Sequence, residues 1–413
     1  MLKTTQIIIA VLTASIITSI AFAYFSLENG QSESISQIIT INSMSGKIDH
    51  ADIAVSPSGK SVMVWHDKIS KNYEIFSQSF DEDGNSSGFP SIVNHCKIYD
   101  KKNPNIAMDG DGNFVVVWQS WEQDGNEGGI YGQRFLANGG RNGGEFKINT
   151  YILGNQGNPV VAMNNQGNFI VVWEGKKNNY KNIYAQRFNA DGNKVGKEFG
   201  VNKTINKPQN NPSVSIDNNN NIVVVWQSQR NSNWDIYSRK FGWNEEIIST
   251  ADILVNGTTS FNQTSPVITT MGQNKFMVIW ENISQHEILD NMLENLNGQV
   301  LTNAGQKSGN EIEITTPIFG HQENPDIVQV AYNELLIVWQ NYEKLAYTPN
   351  WHIFGQSLTT SGIPNGDLFM ISTNGIEAKN WNQNPAISSN GSGNIKTAWV
   401  NSDKEKNEIY LTK

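Results

Sequence analysis

The chain has 413 residues, of which 38 % are hydrophobic, and it carries a net charge of −9. This acidic balance argues against a nucleic-acid partner, because phosphate backbones are bound mainly by Lys and Arg. Cys96 is the only cysteine, which excludes an intramolecular disulfide, so stability must come from packing.

The N-terminal segment 1–23 is strongly apolar, and Lys3 is its only charged residue. The segment Ala21-Phe22-Ala23 suits a signal peptidase, which predicts an export signal over residues 1–23. The uncharged run is also long enough, at about 20 residues, to span a bilayer as an uncleaved anchor. We therefore expect a secreted, periplasmic or cell-surface protein that contacts a membrane only through this segment. Residues 24–36 are predicted to be a polar tether.

A tryptophan that ends an apolar run then recurs seven times, at nearly even intervals along the chain. A matching segment, Asn-Pro in most copies, begins at one fixed distance before each tryptophan, and a segment similar to IYGQRF follows at a variable distance. Fixed spacing with variable insertions is typical of a structural repeat, since added length goes into loops. We number the repeats 1 to 7 by these tryptophans, which are Trp65, Trp118, Trp173, Trp226, Trp280, Trp339 and Trp399.

Repeat 2 shows the predicted strands most clearly. Asn105–Met108 and Asn113–Gln119 flank a tight turn, and Ile130–Phe135 and Glu145–Asn149 are the third and fourth strands. Both faces of Asn113–Gln119 are apolar, as expected for a strand that lies between neighbouring sheets. Each repeat is therefore predicted to form one four-stranded antiparallel blade of a propeller.

The two ends of the chain complement each other. The last repeat stops at its third strand, Ile409–Lys413, while a strand-like segment, Ile38–Asn42, precedes the first repeat. Pairing these two segments completes the last blade and removes two exposed edges. The sequence thus predicts an all-β fold, a single seven-bladed β-propeller over residues 37–413 whose ring is closed by the N-terminal strand. We expect a monomer with the seven repeat tryptophans as its structural core.

The repeat unit NPxVAMDxxGNFVVVWQS, followed by GIYGQRF, resembles repeats in many exported or surface-attached bacterial proteins whose individual functions are mostly unassigned. The resemblance covers nearly all of residues 50–413 and is weakest in repeat 5, where LNGQVL replaces IYGQRF. It implies an extracellular propeller, and it supplies no catalytic residues.

Signals for metals and cofactors are weak. Asp109-Gly-Asp111-Gly-Asn113 alternates carboxylates as calcium loops do, but its spacing fits neither an EF-hand nor an integrin-type loop, and a plain hairpin turn is favoured. The six histidines lack metal-ligand spacing, so neither a metal nor a cofactor is predicted. The residue after the tryptophan is polar in six repeats, and Glu174 and Glu281 are a conceivable acid–base pair. Hydrogen bonds to adjacent loops are the favoured interpretation.

The two ends of the predicted blades differ in composition. One end has short turns rich in Gly, Asn and Asp, while the other has aromatic residues among Asn and Gln, which suit a sugar or a protein partner. The candidate ligand-binding residues are Trp121, Tyr180, Trp234, Tyr347, Trp351 and Trp381.

These residues favour a binding or adhesion module for a glycan or a surface protein over an enzyme. Two alternatives stay open. One is a polysaccharide hydrolase or lyase, and the other is a structural spacer. The carboxylates available to an enzyme in the same loops include Glu122, Asp124, Asp290 and Glu294.

Overall fold

The computed structural model describes residues 38–43, 45, 47–177, 179–244, 251–272, 275–286, 291–315, 320–342, 350–372, 381–402 and 406–412, and every regular element in these ranges is a β-strand. In these ranges there is no helix that is long and apolar enough to cross a membrane. The predicted export signal or anchor over residues 1–23, the tether over residues 24–36 and the candidate ligand-binding residue Tyr347 lie outside the described residues.

Repeats 1 to 4 each form one antiparallel sheet with four strands in chain order. After β1 (Ile38–Asn42), repeat 1 consists of β2 (Ala51–Val55), β3 (Ser61–Ile69), β4 (Asn72–Phe80) and β5 (Ser91–Ile92). Repeat 2 consists of β6 (Lys101–Met108), β7 (Phe114–Trp121), β8 (Gly128–Phe135) and β9 (Phe146–Lys147). Repeat 3 consists of β10 (Gln156–Met163), β11 (Phe169–Lys177), β12 (Tyr180–Phe188) and β13 (Lys194–Gly200). Repeat 4 consists of β14 (Gln209–Ile216), β15 (Ile222–Ser228), β16 (Asp235–Phe241) and β17 (Ile253–Leu254).

Repeats 5 and 6 share one sheet. Repeat 5 consists of β18 (Gln263–Met271), β19 (Lys275–His286), β20 (Asn291–Leu301) and β21 (Lys307–Glu313). Repeat 6 consists of β22 (His321–Ala331), β23 (Glu334–Tyr342), β24 (Trp351–Thr359) and β25 (Pro364–Met370). Pairing inside each repeat is antiparallel, and one parallel pairing of Glu294 with His321 joins the two groups of four strands.

Repeat 7 takes its fourth strand from the other end of the described chain. It consists of β26 (Trp381–Ser389), β27 (Ile395–Ser402) and β28 (Asn407–Thr412). The segment Ile38–Asn42 forms β1 and pairs antiparallel with β28, in a register that runs from Ile38 opposite Thr412 to Asn42 opposite Glu408. The predicted all-β architecture is therefore confirmed for the described residues, and separate four-stranded antiparallel sheets are confirmed for repeats 1 to 4 and 7, while repeats 5 and 6 are joined in one eight-stranded sheet.

The fourth strands are shorter than predicted in repeats 1, 2 and 4, where only two residues are in strand conformation. In repeat 2 the pairing ends before Asn149, because the Asn149 side chain replaces the backbone as the hydrogen-bond acceptor. Its Oδ1 accepts a hydrogen bond of 2.8 Å from the Ile130 N–H. The same contact to the third strand is made by Asn94, Asn202, Asn256, Thr315 and Ser372. The Asn, Thr or Ser at this position therefore caps the third strand.

The repeat tryptophans lie at the centre of the packing. All seven are buried, with exposed fractions of 0 to 3 %. Apolar side chains from both faces of the second strands join neighbouring repeats, as where Val64 of repeat 1 and Trp118 of repeat 2 belong to one cluster. In four repeats the indole N–H also donates to a buried side-chain oxygen, contributed by Gln156, Gln209, Gln263 or Asn382.

Neighbouring repeats also meet along their first strands. Each first strand contacts the first strand of the next repeat, and β26 of repeat 7 contacts β2 of repeat 1. Hydrogen bonds support this last junction, since the Val55 N–H donates to Ser388 Oγ at 3.1 Å and Asn384 Nδ2 donates to the Asp49 carbonyl oxygen at 2.8 Å.

Two carboxyl groups strengthen the junctions between first strands. Asp52 Oδ2 accepts a hydrogen bond from the Ile106 N–H at 2.9 Å, and Asp326 Oδ2 accepts one from the Ile387 N–H at 2.8 Å. Burial raises the pKa of Asp52 to about 6 and the pKa of Asp326 to about 7. These groups therefore link the sheets through carboxyls that are partly protonated near neutral pH.

Candidate functional site

The aromatic end of the sheets is the end at which the first strands begin, the second strands end and the third strands begin. Trp121 ends β7, Tyr180 begins β12, Trp351 begins β24 and Trp381 begins β26, while Trp234 directly precedes β16. All five described candidates thus lie at this end, on five different repeats. Trp381, Tyr180 and Trp121 are the most exposed, at 51, 41 and 38 %.

The residue after the tryptophan links one repeat to the next at this end. Gln227 Oε1 accepts a hydrogen bond from the Ser265 N–H at 2.9 Å, and Glu281 Oε1 accepts one from the Asn324 N–H at 2.8 Å. The same contact joins Glu174 to Asn211 and Gln340 to Asn384. The donor residue precedes proline in each case and has a φ of 48 to 52°. Glu174 and Glu281 therefore serve separate junctions through backbone hydrogen bonds, as the favoured interpretation expected.

Repeat 1 departs from this pattern because its tryptophan is followed by a histidine. The His66 ring is buried, and its Nε2 lies 2.8 Å from Oδ1 of the exposed Asp49. Tyr73 packs edge-on against this ring at 5.5 Å between centroids, and Lys102 Nζ lies 4.1 Å from the Tyr73 centroid. The hydrogen bond with His66 lowers the pKa of Asp49, and burial raises the pKa of Tyr73. We name Asp49, His66, Tyr73 and Lys102 the histidine cluster.

A second group of ionisable side chains lies where repeats 5 and 6 meet. His321 Nδ1 lies 3.6 Å from Glu294 Oε2, next to the parallel pairing of these residues. The carboxyls of Glu323 and Glu294 lie close enough for each to shift the pKa of the other, and Gln340 Nε2 donates to Glu323 Oε2 at 3.1 Å. Glu281 lies close enough for its charge to act on both carboxyls. We name Glu281, Glu294, His321 and Glu323 the carboxyl cluster.

The protonation of the carboxyl cluster follows from its geometry. Burial raises the pKa of Glu323 to about 7, and the hydrogen bond and charge of Glu294 add to this effect. Burial also raises the pKa of Glu294 and of Glu281. Because two ionised carboxylates at this proximity repel each other, the pair holds on to a proton that an isolated glutamate would lose. The pair therefore offers an acid and a base together, as acid–base catalysis requires.

Aromatic rings border the carboxyl cluster on the side of repeat 6. Tyr342 is opposite His321 in the register of β22 and β23, with 6.3 Å between ring centroids. Trp351 follows at 5.1 Å from Tyr342, in a tilted arrangement. Asn382 Nδ2, adjacent to Trp381, donates to the Trp351 carbonyl oxygen at 3.3 Å. The structure thus brings Trp351 and the region of Trp381 next to the carboxyl cluster.

Of the four carboxylates that the sequence offers to an enzyme, Glu294 lies in this cluster. Glu122 is exposed at a turn with a φ of 54°, and Asp124 forms an ion pair of 2.7 Å with Lys147. Asp290 lies outside the described residues. The Asp109 carboxylate accepts hydrogen bonds from the Asp111 and Asn113 N–H groups of its own turn.

The sequence analysis missed Glu323 and His321, although the repeats contain a signal for them. When the repeats are aligned on their tryptophans, the position of Glu323 in repeat 6 has no carboxylate in repeats 2 to 5 and 7. The residues there are Lys102, Gly157, Asn210, Thr264 and Gln383. Comparing the repeats position by position would therefore have indicated Glu323.

No protein-family model matches the sequence, and no curated protein matches it either. Several solved structures have a similar fold. One is a polysaccharide lyase that acts as an ulvan lyase and is bound to -[GlcA(1-4)Rha3S]-. Its TM-score is 0.55 at 9 % identity, and the match covers 91 % of this chain and 96 % of that chain. The α-L-arabinanase of Penicillium chrysogenum complexed with arabinobiose has a TM-score of 0.51, 15 % identity, and coverage of 74 and 93 %.

The β-propeller domain of the Trilobed protease from Pyrococcus furiosus, described as having an open velcro topology, has a TM-score of 0.52, 10 % identity, and coverage of 88 and 94 % of the two chains. At these identities the likeness concerns the fold. The chain is therefore an all-β protein with a propeller architecture.

Proposed function

We propose that this protein is a polysaccharide hydrolase in which Glu323 acts as general acid and base and the adjacent Glu294 stabilises the developing positive charge. The observation that carries the proposal is the group of adjacent carboxyls, Glu294 at 3.6 Å from His321 and Glu323 with its pKa raised to about 7, beside the rings of Tyr342 and Trp351. Glu323 donates its proton to the glycosidic oxygen as the bond to the anomeric carbon breaks. The ionised Glu294 stabilises the positive charge that develops on this carbon, and the deprotonated Glu323 takes up a proton from the water that then adds to it.

The charge of the cluster favours hydrolysis over elimination at this site. The charges that most affect the pKa values of the three glutamates belong to the glutamates themselves and to His321. None of these charges belongs to a described Lys or Arg. Elimination next to a uronate carboxylate requires a group that neutralises this carboxylate. Two similar structures are named for action on polysaccharides, which supports glycan cleavage on a propeller.

Glu323→Gln tests the proposal. The amide oxygen can still accept the hydrogen bond from Gln340, but the side chain has no acidic proton, so release of reducing ends from the substrate is expected to fall about 100-fold or more. Glu174→Gln is the matched control, because other repeats have glutamine at the equivalent position. Equal activity of the Glu323 variant and the wild type on a cleaved polymer would refute the assignment.

A second candidate function is a lyase that uses the histidine cluster. The observation in its favour is that His66, held by Asp49, lies beside Tyr73 and Lys102. A uronate substrate would lose a proton to the exposed carboxylate of Asp49, which His66 holds in place, receive a proton from Tyr73 on its leaving oxygen, and place its carboxylate near Lys102. His66→Gln introduces the residue of repeats 2, 4 and 6. An unsaturated, ultraviolet-absorbing product that this variant no longer forms would establish the lyase and overturn the hydrolase.

The binding or adhesion module that the sequence favoured, and the structural spacer, make different predictions. A binding module retains a glycan or a surface protein without cleaving it, whereas a spacer retains neither. Affinity electrophoresis through polysaccharide gels, followed by analysis of the gel for new reducing ends, separates these cases. Retention without cleavage would favour the binding module and its aromatic residues Trp121, Tyr180, Trp234, Trp351 and Trp381.

The finer architecture and the location of the protein complete the proposal. The seven repeats form seven blades in a closed ring, which the pairing of β1 with β28 and the contact of β26 with β2 support. The single parallel pairing between repeats 5 and 6 then joins two blades rather than merging them.

The protein acts as a monomer that is secreted, periplasmic or displayed at the cell surface. This location is in keeping with the apolar segment over residues 1–23 and with the resemblance to exported bacterial repeat proteins.

A further inference from the structure

A row of aromatic side chains leads from the carboxyl cluster across repeats 6 and 7. Its first step is His321, which lies 3.6 Å from Glu294 and faces Tyr342. Tyr342 is followed by Trp351 at 5.1 Å. The Trp351 carbonyl oxygen accepts a hydrogen bond from Asn382, the residue after Trp381. We name Tyr342, Trp351 and Trp381 the aromatic track.

The positions of His321 and Trp381 in their repeats are equivalent. Each begins the first strand of its repeat, and the two are aligned when the repeats are superimposed on Trp339 and Trp399. Repeats 1 to 5 have Lys47, Asp100, Asn155, Pro208 and Asn262 at this position. The two strands β22 and β26 are in contact, so His321 and Trp381 begin neighbouring first strands. Among the seven repeats, only repeats 6 and 7 have a ring at this position.

The exposure of the track matches a binding role. The Trp381 side chain is 51 % exposed, and Tyr342 and Trp351 are partly exposed. A ring that served only the core would be buried, as the seven repeat tryptophans are. Exposed rings offer flat apolar faces to the C–H groups of a sugar ring, with little conformational entropy to lose on binding.

Aromatic residues also lie on the opposite side of the carboxyl pair. Trp234 precedes β16 of repeat 4, and its carbonyl oxygen accepts a hydrogen bond of 2.8 Å from the Gln263 N–H at the start of repeat 5. The Trp234 N–H in turn donates to Asn262 Oδ1, and the neighbouring Phe261 is 37 % exposed. The carboxyl pair therefore has aromatic surface on both sides, along successive repeats.

We infer that the site takes an uncharged polysaccharide chain that lies across repeats 4 to 7, stacks on the aromatic track, and is cleaved at internal linkages. This inference rests on the proposed hydrolase. The ionised carboxylate of Glu294 at the centre of the path repels uronate and sulfate groups, and the charges that most affect it belong to no described Lys or Arg, so neutral sugars are favoured. Aromatic contacts on both sides of the cleavage point hold a chain that continues in both directions, which is the geometry for internal cleavage.

The test compares Trp381→Ala with Tyr332→Ala in the full chain. Tyr332 is 65 % exposed in the turn between β22 and β23, at the opposite end of the sheet from the path. The substrates are arabinan, xylan and mannan as polymers and as their shortest cleaved oligosaccharides, with polygalacturonate as the charged comparison. We expect Trp381→Ala to raise KM for the polymer about tenfold and to leave KM for the shortest oligosaccharide unchanged, while Tyr332→Ala alters neither. The wild type should reduce the viscosity of a neutral polymer before many reducing ends appear.

Three outcomes overturn the inference and are distinguishable from failure of the hydrolase. Cleavage of neutral polymers from their ends only, an equal effect of Trp381→Ala on short and long substrates, or faster cleavage of polygalacturonate would each refute it while the hydrolase stands. If no polymer is cleaved, the hydrolase fails, and affinity electrophoresis in the neutral polymers decides about the track. Retardation that Trp381→Ala removes and Tyr332→Ala keeps supports the track, and no retardation refutes it.

Discussion

The buried hydrogen bond of the repeat tryptophans can be measured because not every repeat has it. Trp226 and Trp118 are both fully buried, but Trp226 Nε1 donates to Gln209 Oε1 at 2.8 Å, whereas Trp118 Nε1 has no hydrogen-bond partner among the described residues. The cause lies at the start of the first strand, where repeat 2 has Lys101 in the position of Gln209. The Lys101 ammonium instead donates to the Ile98 and Tyr99 carbonyl oxygens.

Replacing each tryptophan by phenylalanine separates the hydrogen bond from the packing. Both changes remove a similar volume from the core, but Trp226→Phe also leaves the buried Gln209 Oε1 without its donor. An unsatisfied buried group costs about 1–3 kcal/mol, while Trp118→Phe removes a donor that was already unpaired. Trp226→Phe should therefore lower the free energy of unfolding by about 1–3 kcal/mol more than Trp118→Phe does.

Urea unfolding monitored by circular dichroism, together with calorimetry, measures this difference. The control is the Gln209→Leu background, in which no acceptor remains and Trp226→Phe should cost about as much as Trp118→Phe. Equal costs of the two changes in the natural background, or a difference that persists in the Gln209→Leu background, would refute the reasoning.

The remaining predictions concern other positions. Glu323 acts as an acid, so kcat of the hydrolase should fall as pH rises through about 7, and a rate that instead rises over this range would contradict its role. The raised pKa of Asp326 means that the folded state holds a proton that the unfolded state releases near pH 4, so its contribution to stability is lost as pH rises to about 7. In urea unfolding, the free energy of unfolding of Asp326→Asn relative to the wild type should therefore rise by about 1–2 kcal/mol between pH 5 and pH 8. This is less than the full pKa shift implies, because local relaxation and water entry reduce the cost of an ionised buried carboxylate. A Cβ at Gly355 would lie 2.6 Å from the Phe369 ring, so Gly355→Ala should lower the melting temperature. Gly366→Ser is the control, because its side chain would meet no neighbouring atom while its φ of 80° is unfavourable for any residue but glycine, so it measures the cost of backbone strain alone. Ile41→Asp should destabilise repeat 7, because Ile41 of β1 is 8 % exposed and packs with Leu411, while the same change at the exposed Thr40 should have little effect on the urea midpoint.

The repeated positions of apolar residues were sufficient to predict local structure, because they indicate which faces of each strand are buried. Second strands that are apolar on both faces, such as Phe114–Trp121, must lie between two other sheets, and the tryptophan at the end of each run must be buried. The segment Ile38–Asn42 was assigned to repeat 7 by counting strands, and it pairs with β28. The length of the fourth strands was predicted less well, because the Asn149 side chain replaces a backbone acceptor. The alternation of apolar and polar residues does not show which group accepts this hydrogen bond.

The candidate site shows where local pattern stops being informative. Trp351 and Glu294 are recognisable as exposed aromatic and acidic residues of loops at one end, but their sequence neighbours do not show which of these residues meet. Glu323 and His321 approach Glu294 because β20 and β22, from different repeats, make one parallel contact. Trp121, Tyr180 and Trp234 satisfied the same sequence criteria and lie on repeats without that contact.

The amino-acid sequence by itself determined the repeat length, the strands, the buried tryptophans and the end of the sheets that carries the aromatic residues. These properties depend on the alternation of apolar and polar residues within a few positions of one another. Only the tertiary structure decided which ionisable groups act together. The pKa of Glu323 depends on burial and on Glu294, which is distant in the chain and belongs to the preceding repeat. Proximity of this kind arises from the packing of one sheet against the next, so it follows from the assembled fold rather than from any single repeat.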